Sequence, residues 1–315
     1  MPWTAQQMPD CTGWTVLVTG ANSGIGLEAT REFARRGAHV VMACRSETKA
    51  REAIALIGQD APTERLAFLA LDLMSLESVR EAARQFLDRH GRLDRLINNA
   101  GIMAVPLRHT DDGFESQMAT NHLGHFVLTA HLWPALLAAR EARIVNVSSM
   151  AHRMGRLPLD DLEGKGPYSP WARYGQTKLA NLLFTCELDR RIREAGLNLK
   201  AIACHPGYAS TNLQSVAPRM QGSRLGETLT AWGNRWLAQS AAMGALPTLY
   251  AATVAELAGG TFVGPDGLME MRGYPRLVTP AATARDSAAA RRLWDESERL
   301  TGTTFSLTSE PSSVR

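Results

Sequence analysis

The chain has 315 residues, 45% hydrophobic and 21% charged, with 34 Lys and Arg against 31 Asp and Glu. That length and balance suit one large α/β domain or two small ones, with enough chain to bury a substantial core. A formal charge of +3 and the lack of a dense Lys/Arg block give no reason to expect a nucleic-acid partner.

The N-terminal stretch "MPWTAQQMPD" lacks the basic-then-apolar pattern of a signal peptide. No apolar run approaches the ~18 residues that span a bilayer. Cys11, Cys44, Cys186 and Cys204 form no C-x-x-C pair and are read as buried free thiols of a reducing compartment. The expectation is a cytoplasmic protein with no membrane partner. Asn146-Val147-Ser148 matches a glycosylation sequon, but it falls in an apolar strand-like run and is set aside.

Taken in chain order, short β-like runs alternate with longer amphipathic ones. "WTVLVT" (14–19) precedes a helical stretch at 24–36, and "AHVVMA" (38–43) precedes another at 47–57. "RLAFLAL" (65–71) leads to Ser75 as N-cap of a helix reaching about His90. "RLINNAG" (95–101) precedes a long helical region over 112–139, and "ARIVNVSS" (142–149) is a fifth strand. A Gly-, Pro- and Asp-rich loop follows, then a helix carrying Tyr174. "LKAIACH" (199–205) and "GTFVG" (260–264) are the sixth and seventh strand candidates. Nearly continuous apolar strands, each followed by a helix, predict an α/β fold: a doubly wound, Rossmann-type parallel sheet of about seven strands with helices on both faces. The reading is a single domain over 1–305 with a polar, disordered tail at 306–315.

The turn after the first strand, "VLVTGANSGIGLEAT", holds Gly20, Gly24 and Gly26 between strand and helix. Glycines there permit a tight turn and let a pyrophosphate approach the backbone, while the helix N-terminus offers N–H groups to the phosphates. Further along, "ARYGQTKLANLLF" sets Tyr174 and Lys178 one turn apart on one helix face. By itself such a pair is an ordinary solvated face.

With its G-x-x-x-G-x-G spacing, "TGANSGIG" resembles the signature of the short-chain dehydrogenase/reductase superfamily. The other marks of that family follow in order: Asp72 before Leu73, the stretch Asn98-Asn99-Ala100-Gly101, Asn121 in "MATNHLGHF", Ser149 in "VNVSS", Tyr174-x-x-x-Lys178, and Pro206-Gly207 with Thr211 in "HPGYAST". The resemblance runs from about residue 14 to 212. It implies cofactor contacts at Gly20, Asn22, Ser23, Gly24, Ile25 and Gly26, at Asp72 and Leu73, and at Asn99, Ala100 and Gly101. It further implies contacts at Pro206, Gly207 and Thr211, and at Tyr174 and Lys178 themselves. "ACR", "YGQTKLANLLF" and "HPGY" look like the branch of retinol dehydrogenases and the WW-domain oxidoreductase. Ser149 and Tyr174 stand 25 positions apart, farther than in many short members, and the insert between them is expected to border the substrate.

The catalytic expectation follows from the resemblance. Tyr174 moves the proton, and Lys178 lowers a phenol pKa that is ~10 when unperturbed. Ser149 holds the substrate oxygen, and Asn121 organises a water relay behind Lys178. Tyr168 has no Lys four positions on and is discounted. His122, His125 and His131 do not form H-E-x-x-H, so they are read as ordinary helix positions and no metal is expected.

"VVMACRSE" places Cys44 where an acid would bind the ribose 2′-hydroxyl, with Arg45 next to it and Glu47 facing solvent. NADP(H) is favoured, with NAD(H) as the other possibility. The family's substrate-capping region falls at about 212–240, where Met220, Trp232 and Trp236 suggest an apolar alcohol or carbonyl substrate. A non-catalytic nicotinamide sensor or scaffold of the same fold is the alternative, and a homo-oligomer is left open.

Overall fold

In the computed structural model, residues 2–208 and 239–307 are described. The apolar runs form β1 (Thr15–Thr19), β2 (His39–Cys44), β3 (Leu66–Ala70), β4 (Arg95–Asn98), β5 (Ala142–Val147), β6 (Leu199–Cys204) and β7 (Phe262–Pro265). These seven pair in parallel in the order β3-β2-β1-β4-β5-β6-β7. An eighth strand, β8 (Pro275–Leu277), pairs antiparallel with β7 and raises the expected count by one. It has three residues and begins with Pro, too short to show a period in the sequence. The order reverses between β1 and β4, which opens a crevice at the carboxyl ends of the strands.

Local chemistry fixes the helices. α1 (Gly24–Arg35), α2 (Glu47–Ile57) and α3 (Leu76–Arg89) follow the first three strands. Ser46 and Ser75 cap α2 and α3 by accepting from Lys49 N and Ser78 N, and Glu47 and Glu77 complement the positive helix ends. α6 (Pro170–Glu194) begins with Pro at its first position, where no N–H is missed.

The helix expected over 112–139 is broken. α4 covers Ser116–Met118, a π turn over Ala119–Leu123, and Gly124–His131; α5 (Trp133–Leu137) follows after Leu132. Residues 112–115 do not join it, because the Glu115 carboxylate is the cap and accepts from Gln117 N and Met118 N. Pro134 lacks the N–H that would have continued α4. Two further helices, α7 (Ala241–Thr253) and α8 (Ser287–Thr301), had no sequence expectation.

Two apolar layers clamp the sheet. On one face Val18, Met42, Phe33, Ile57 and Leu249 join α1, α2 and α7 to the strands. On the other, Leu96, Phe86, Phe126, Leu183 and Trp294 join α3, α4, α6 and α8. Arg95 and Arg143, register partners on β4 and β5, donate to carbonyls at the C-terminal end of α7. Thr211, most of the expected capping segment at 212–240, and the tail beyond Leu307 lie outside the described residues. Among the described residues no helix is long and apolar enough to cross a membrane.

Candidate active site

The glycine turn closes the carboxyl end of β1. Gly20 has φ +66°, and a Cβ on Gly26 would lie 2.5 Å from Gly20 O, so only glycine permits this approach of helix to strand. Ser23 at the N-cap of α1 makes no side-chain capping bond, and the first turn carries no acid. The amides that α2 and α3 satisfy with serines are thus left on α1 for a ligand. Asn22, Gly24 and Ile25 lie in the same turn.

β1 and β4 are stitched at this point by Thr19. Its Oγ1 accepts from Asn99 N and Ala100 N, both at 2.9 Å, and Asn99 Nδ2 donates to Thr19 O at 2.8 Å. Ala100 therefore packs beside Gly20, and Gly101 lies beside Asn121 and Lys178. Asp72 is half-buried after β3, where its Oδ1 accepts from Met74 N at 3.0 Å. Leu73 is buried against α4 at Gly124.

At the end of β2, the buried Cys44 thiol faces the amides of Ala21 and Asn22, and burial pushes it up to about 11. Arg45 beside it is exposed. Glu47 faces solvent as expected, paired with Arg51 at 2.6 Å. All four cysteines are free: Cys11, Cys44 and Cys204 are buried, and Cys186 is half-buried.

The four residues expected to be catalytic converge between α4, β5 and α6. Tyr174 is buried, with Ser149 close enough to its hydroxyl to favour the phenolate. Lys178 Nζ donates to Val147 O at 3.0 Å and stands 5.7 Å from the Tyr174 ring centroid. Asn121 Oδ1 accepts from Ile102 N at 2.8 Å, while Nδ2 donates to Ile102 O and to Thr177 Oγ1. The neighbouring serine points elsewhere, and Ser148 Oγ donates to Lys178 O at 2.7 Å. Ser149, the member of the pair expected to hold the substrate oxygen, is the one beside Tyr174.

The titration differs from expectation. Burial pushes the Tyr174 phenol up to about 12, opposed only by the neighbouring Ser149. Burial also brings Lys178 down to about 8. The ammonium bonds to the Val147 carbonyl, so it does not draw Tyr174 down by itself.

Further residues surround this core, of which Arg173, Glu115 and His205 were not singled out by sequence patterns. Tyr168, in the insert, donates to Val105 O at 2.6 Å and accepts from Gln117 Nε2 at 2.8 Å. These bonds tie the insert to Val105 and to α4. Buried Arg173, next to Tyr174, lies 3.7 Å from the buried carboxylate of Glu115. The insert is thereby fastened to the start of α4. Pro206 and Gly207 follow β6; a Cβ on Gly207 would lie 2.4 Å from Met271 O. Buried His205 accepts from Gly207 N through Nδ1 and meets Glu270 Oε2 at 3.0 Å through Nε2. His122 bonds Ser297 Oγ at 2.8 Å inside an aromatic cluster. His125, expected to be an ordinary helix position, touches both Thr19 and Asn121. Its spacing of four from Asn121 was the available signal.

The short chain dehydrogenase family model matches residues 14–222, from β1 past Gly207. The chain belongs to that family. Human retinol dehydrogenase 13 is 41% identical over 92% of this chain and 85% of its own length. An uncharacterised protein of Mycobacterium paratuberculosis shares the fold with a TM-score of 0.80 and 45% identity, covering 98% of this chain and 100% of that one. A short chain dehydrogenase from Shigella flexneri, solved with NADP, shares the fold at a TM-score of 0.61 and 22% identity, covering 81% of this chain and 98% of that one. This short-chain dehydrogenase is accordingly an NAD(P)-dependent oxidoreductase of the retinol dehydrogenase-like branch, acting on a small molecule.

Proposed function

We propose that the protein transfers hydride reversibly between NADP(H) and an apolar alcohol or carbonyl compound, with Tyr174 as general acid and base. The observation that carries this reading is the meeting of Tyr174, Ser149, Lys178 and Asn121 beside an uncapped helix end. The cradle fits a dinucleotide: Gly20 and Gly26 let the turn and α1 pack closely against Asn99 and Ala100, and the first amides of α1 have no side-chain cap to compete with a pyrophosphate. Asn22, Ser23, Gly24 and Ile25 would complete that contact. Asp72, Leu73, Asn99, Ala100, Gly101, Pro206, Gly207 and Thr211 would hold the rest of the cofactor. When bound, the nicotinamide supplies the hydride chemistry.

The chain's own groups supply the proton side. Ser149, beside the Tyr174 hydroxyl, would orient it and share the substrate oxygen. Tyr174 gives its proton to that oxygen in reduction and takes it back in oxidation. A phenol held at about 12 is protonated at neutral pH, which suits the reductive direction. Lys178, its Nζ 5.7 Å from the ring centroid and donating to Val147 O, would hydrogen-bond the nicotinamide ribose. Asn121, fixed by Ile102 and Thr177, would organise a water relay behind Lys178.

Exposed Arg45 supports the NADP(H) preference, since a guanidinium pairs with a 2′-phosphate where Cys44 offers no carboxylate to a 2′-hydroxyl. Similarity to retinol dehydrogenase 13 supports an apolar substrate. Loss of NADPH absorbance with a panel of aliphatic, aromatic and polyene aldehydes tests the reading. Saturable oxidation that favours apolar members is expected. Cofactor binding without turnover of any carbonyl or alcohol would point to a sensor or scaffold.

A further inference from the structure

His125 lies one turn beyond Asn121 on α4 and is 2% exposed, with a partner at each ring nitrogen. Nδ1 stands 3.2 Å from Asn121 O and Nε2 stands 2.9 Å from Thr19 Oγ1. These two partners belong to different halves of the site. Asn121 sits in the π turn on the proton side, and Thr19 binds the Asn99–Ala100 turn on the cofactor side.

The direction of each hydrogen bond can be worked out. A carbonyl only accepts, so Nδ1 must carry the hydrogen. Thr19 Oγ1 already accepts from Asn99 N and Ala100 N, which uses both hydroxyl lone pairs. A third donor at Nε2 would have no lone pair to meet. Nε2 therefore accepts, and the Thr19 proton points to it at 2.9 Å in preference to Ile97 O at 3.3 Å. One polarised chain results, running from the Asn99 and Ala100 amides through Thr19 and His125 to the Asn121 carbonyl. Burial and the charge of Lys178 favour the neutral ring this chain needs, holding His125 down to about 4.

We propose that His125 is a positioning residue that locks the Asn121 π turn to the Thr19–Asn99–Ala100 corner, so that the proton relay and the cofactor cradle are set by one ring. The proposal rests on the NADP(H) oxidoreductase reading. Its two bonds are separable, because asparagine places an amide where Nδ1 lies and glutamine places one where Nε2 lies. His125→Asn keeps a donor for Asn121 O and loses Thr19, so it should weaken NADPH more than it slows turnover. His125→Gln keeps an acceptor for Thr19 and loses Asn121 O, so it should slow turnover more than it weakens NADPH. His125→Phe preserves ring volume and loses both bonds; kcat and NADPH affinity should each fall roughly 10-fold or more. A residue that only filled space would give the opposite ranking, with Phe the mildest change.

The experiment measures NADPH dissociation constants by fluorescence and kcat with the aldehyde the wild type reduces fastest, for all four proteins. Nitrogen NMR of wild type labelled at histidine accompanies it. The proposal expects opposite skews in the Asn and Gln variants and a neutral, Nδ1-protonated ring. It is overturned by parallel changes in all three variants that follow their melting temperatures, by a harmless His125→Phe, or by an Nε2-protonated ring. If a variant does not fold, the wild-type spectrum still decides. If the wild type turns over no substrate, the oxidoreductase reading fails, while the tautomer and NADPH affinities still judge His125.

Discussion

Arg45 stands exposed at the end of β2, with no hydrogen bond or ion pair to another described residue. If it meets a 2′-phosphate, Arg45→Ala should weaken NADPH by roughly 1.5–3 kcal/mol and leave NADH nearly unchanged. Cys44→Asp should shift preference further, since its carboxylate would accept from a free 2′-hydroxyl and repel the phosphate. Titrating both cofactors into wild type and the two variants checks this; equal losses for NADH and NADPH would make Arg45 an ordinary surface residue. Lys178→Met should impair cofactor affinity and turnover together, by ~10²-fold in kcat, as read from binding and steady-state kinetics. Tyr174 and Lys178 were legible in the sequence by their fixed spacing of four, and Ser149 by its place at the end of the fifth strand. The elevated Tyr174 pKa was not, since burial comes from residues distant in sequence. The bridging position of His125 was hidden too, because both its partners had first to be brought together by the fold.

Among the elements, α4 departs most from its sequence pattern, and the departure bears on function. An unbroken helical period was expected, whereas a π turn holds Asn121. The start of α4 is fixed by Glu115, which caps two amides and faces Arg173 at the first turn of α6. Glu115→Ala would leave buried Arg173 and two N–H groups without that partner. It should cost about 3–5 kcal/mol in urea unfolding; a loss under ~1 kcal/mol would show that the insert is held by other contacts. α8 was legible in principle, because Asp286 caps it and Gly302 ends it in the left-handed region. α7 was harder to find: Pro247 lies inside it, and the helix is apolar almost throughout. β8 is simply too short.

At the scale of the whole molecule, the parallel sheet was readable because strands covered on both faces are apolar along their length. Its consequence is deep burial of polar groups on the covering helices. His122 and His125 are held neutral by burial, down to about 3 and about 4 from 6.5. Below pH ~6.5 the unfolded chain binds protons that the folded chain refuses, so the unfolded state is favoured. Stability should be full above that pH and fall as pH drops from ~6.5 toward 4, with a slope approaching ~1.4 kcal/mol per pH unit for each histidine. Urea unfolding at stepped pH reads this slope, and His122→Phe should make it shallower. A flat response from pH 7 to 5 would mean that these rings are protonated within the fold.

The proposed chemistry turns on one proton. Tyr174→Phe removes that proton and little else, because the ring remains packed in the same buried site. NADPH oxidation by wild type and Tyr174→Phe with the best apolar aldehyde, measured alongside NADPH binding, is therefore the most direct test. Proton donation by Tyr174 predicts a fall in kcat of ~10²-fold or more with NADPH affinity nearly unchanged. Near-normal turnover in the variant would contradict it and would assign the proton to another group.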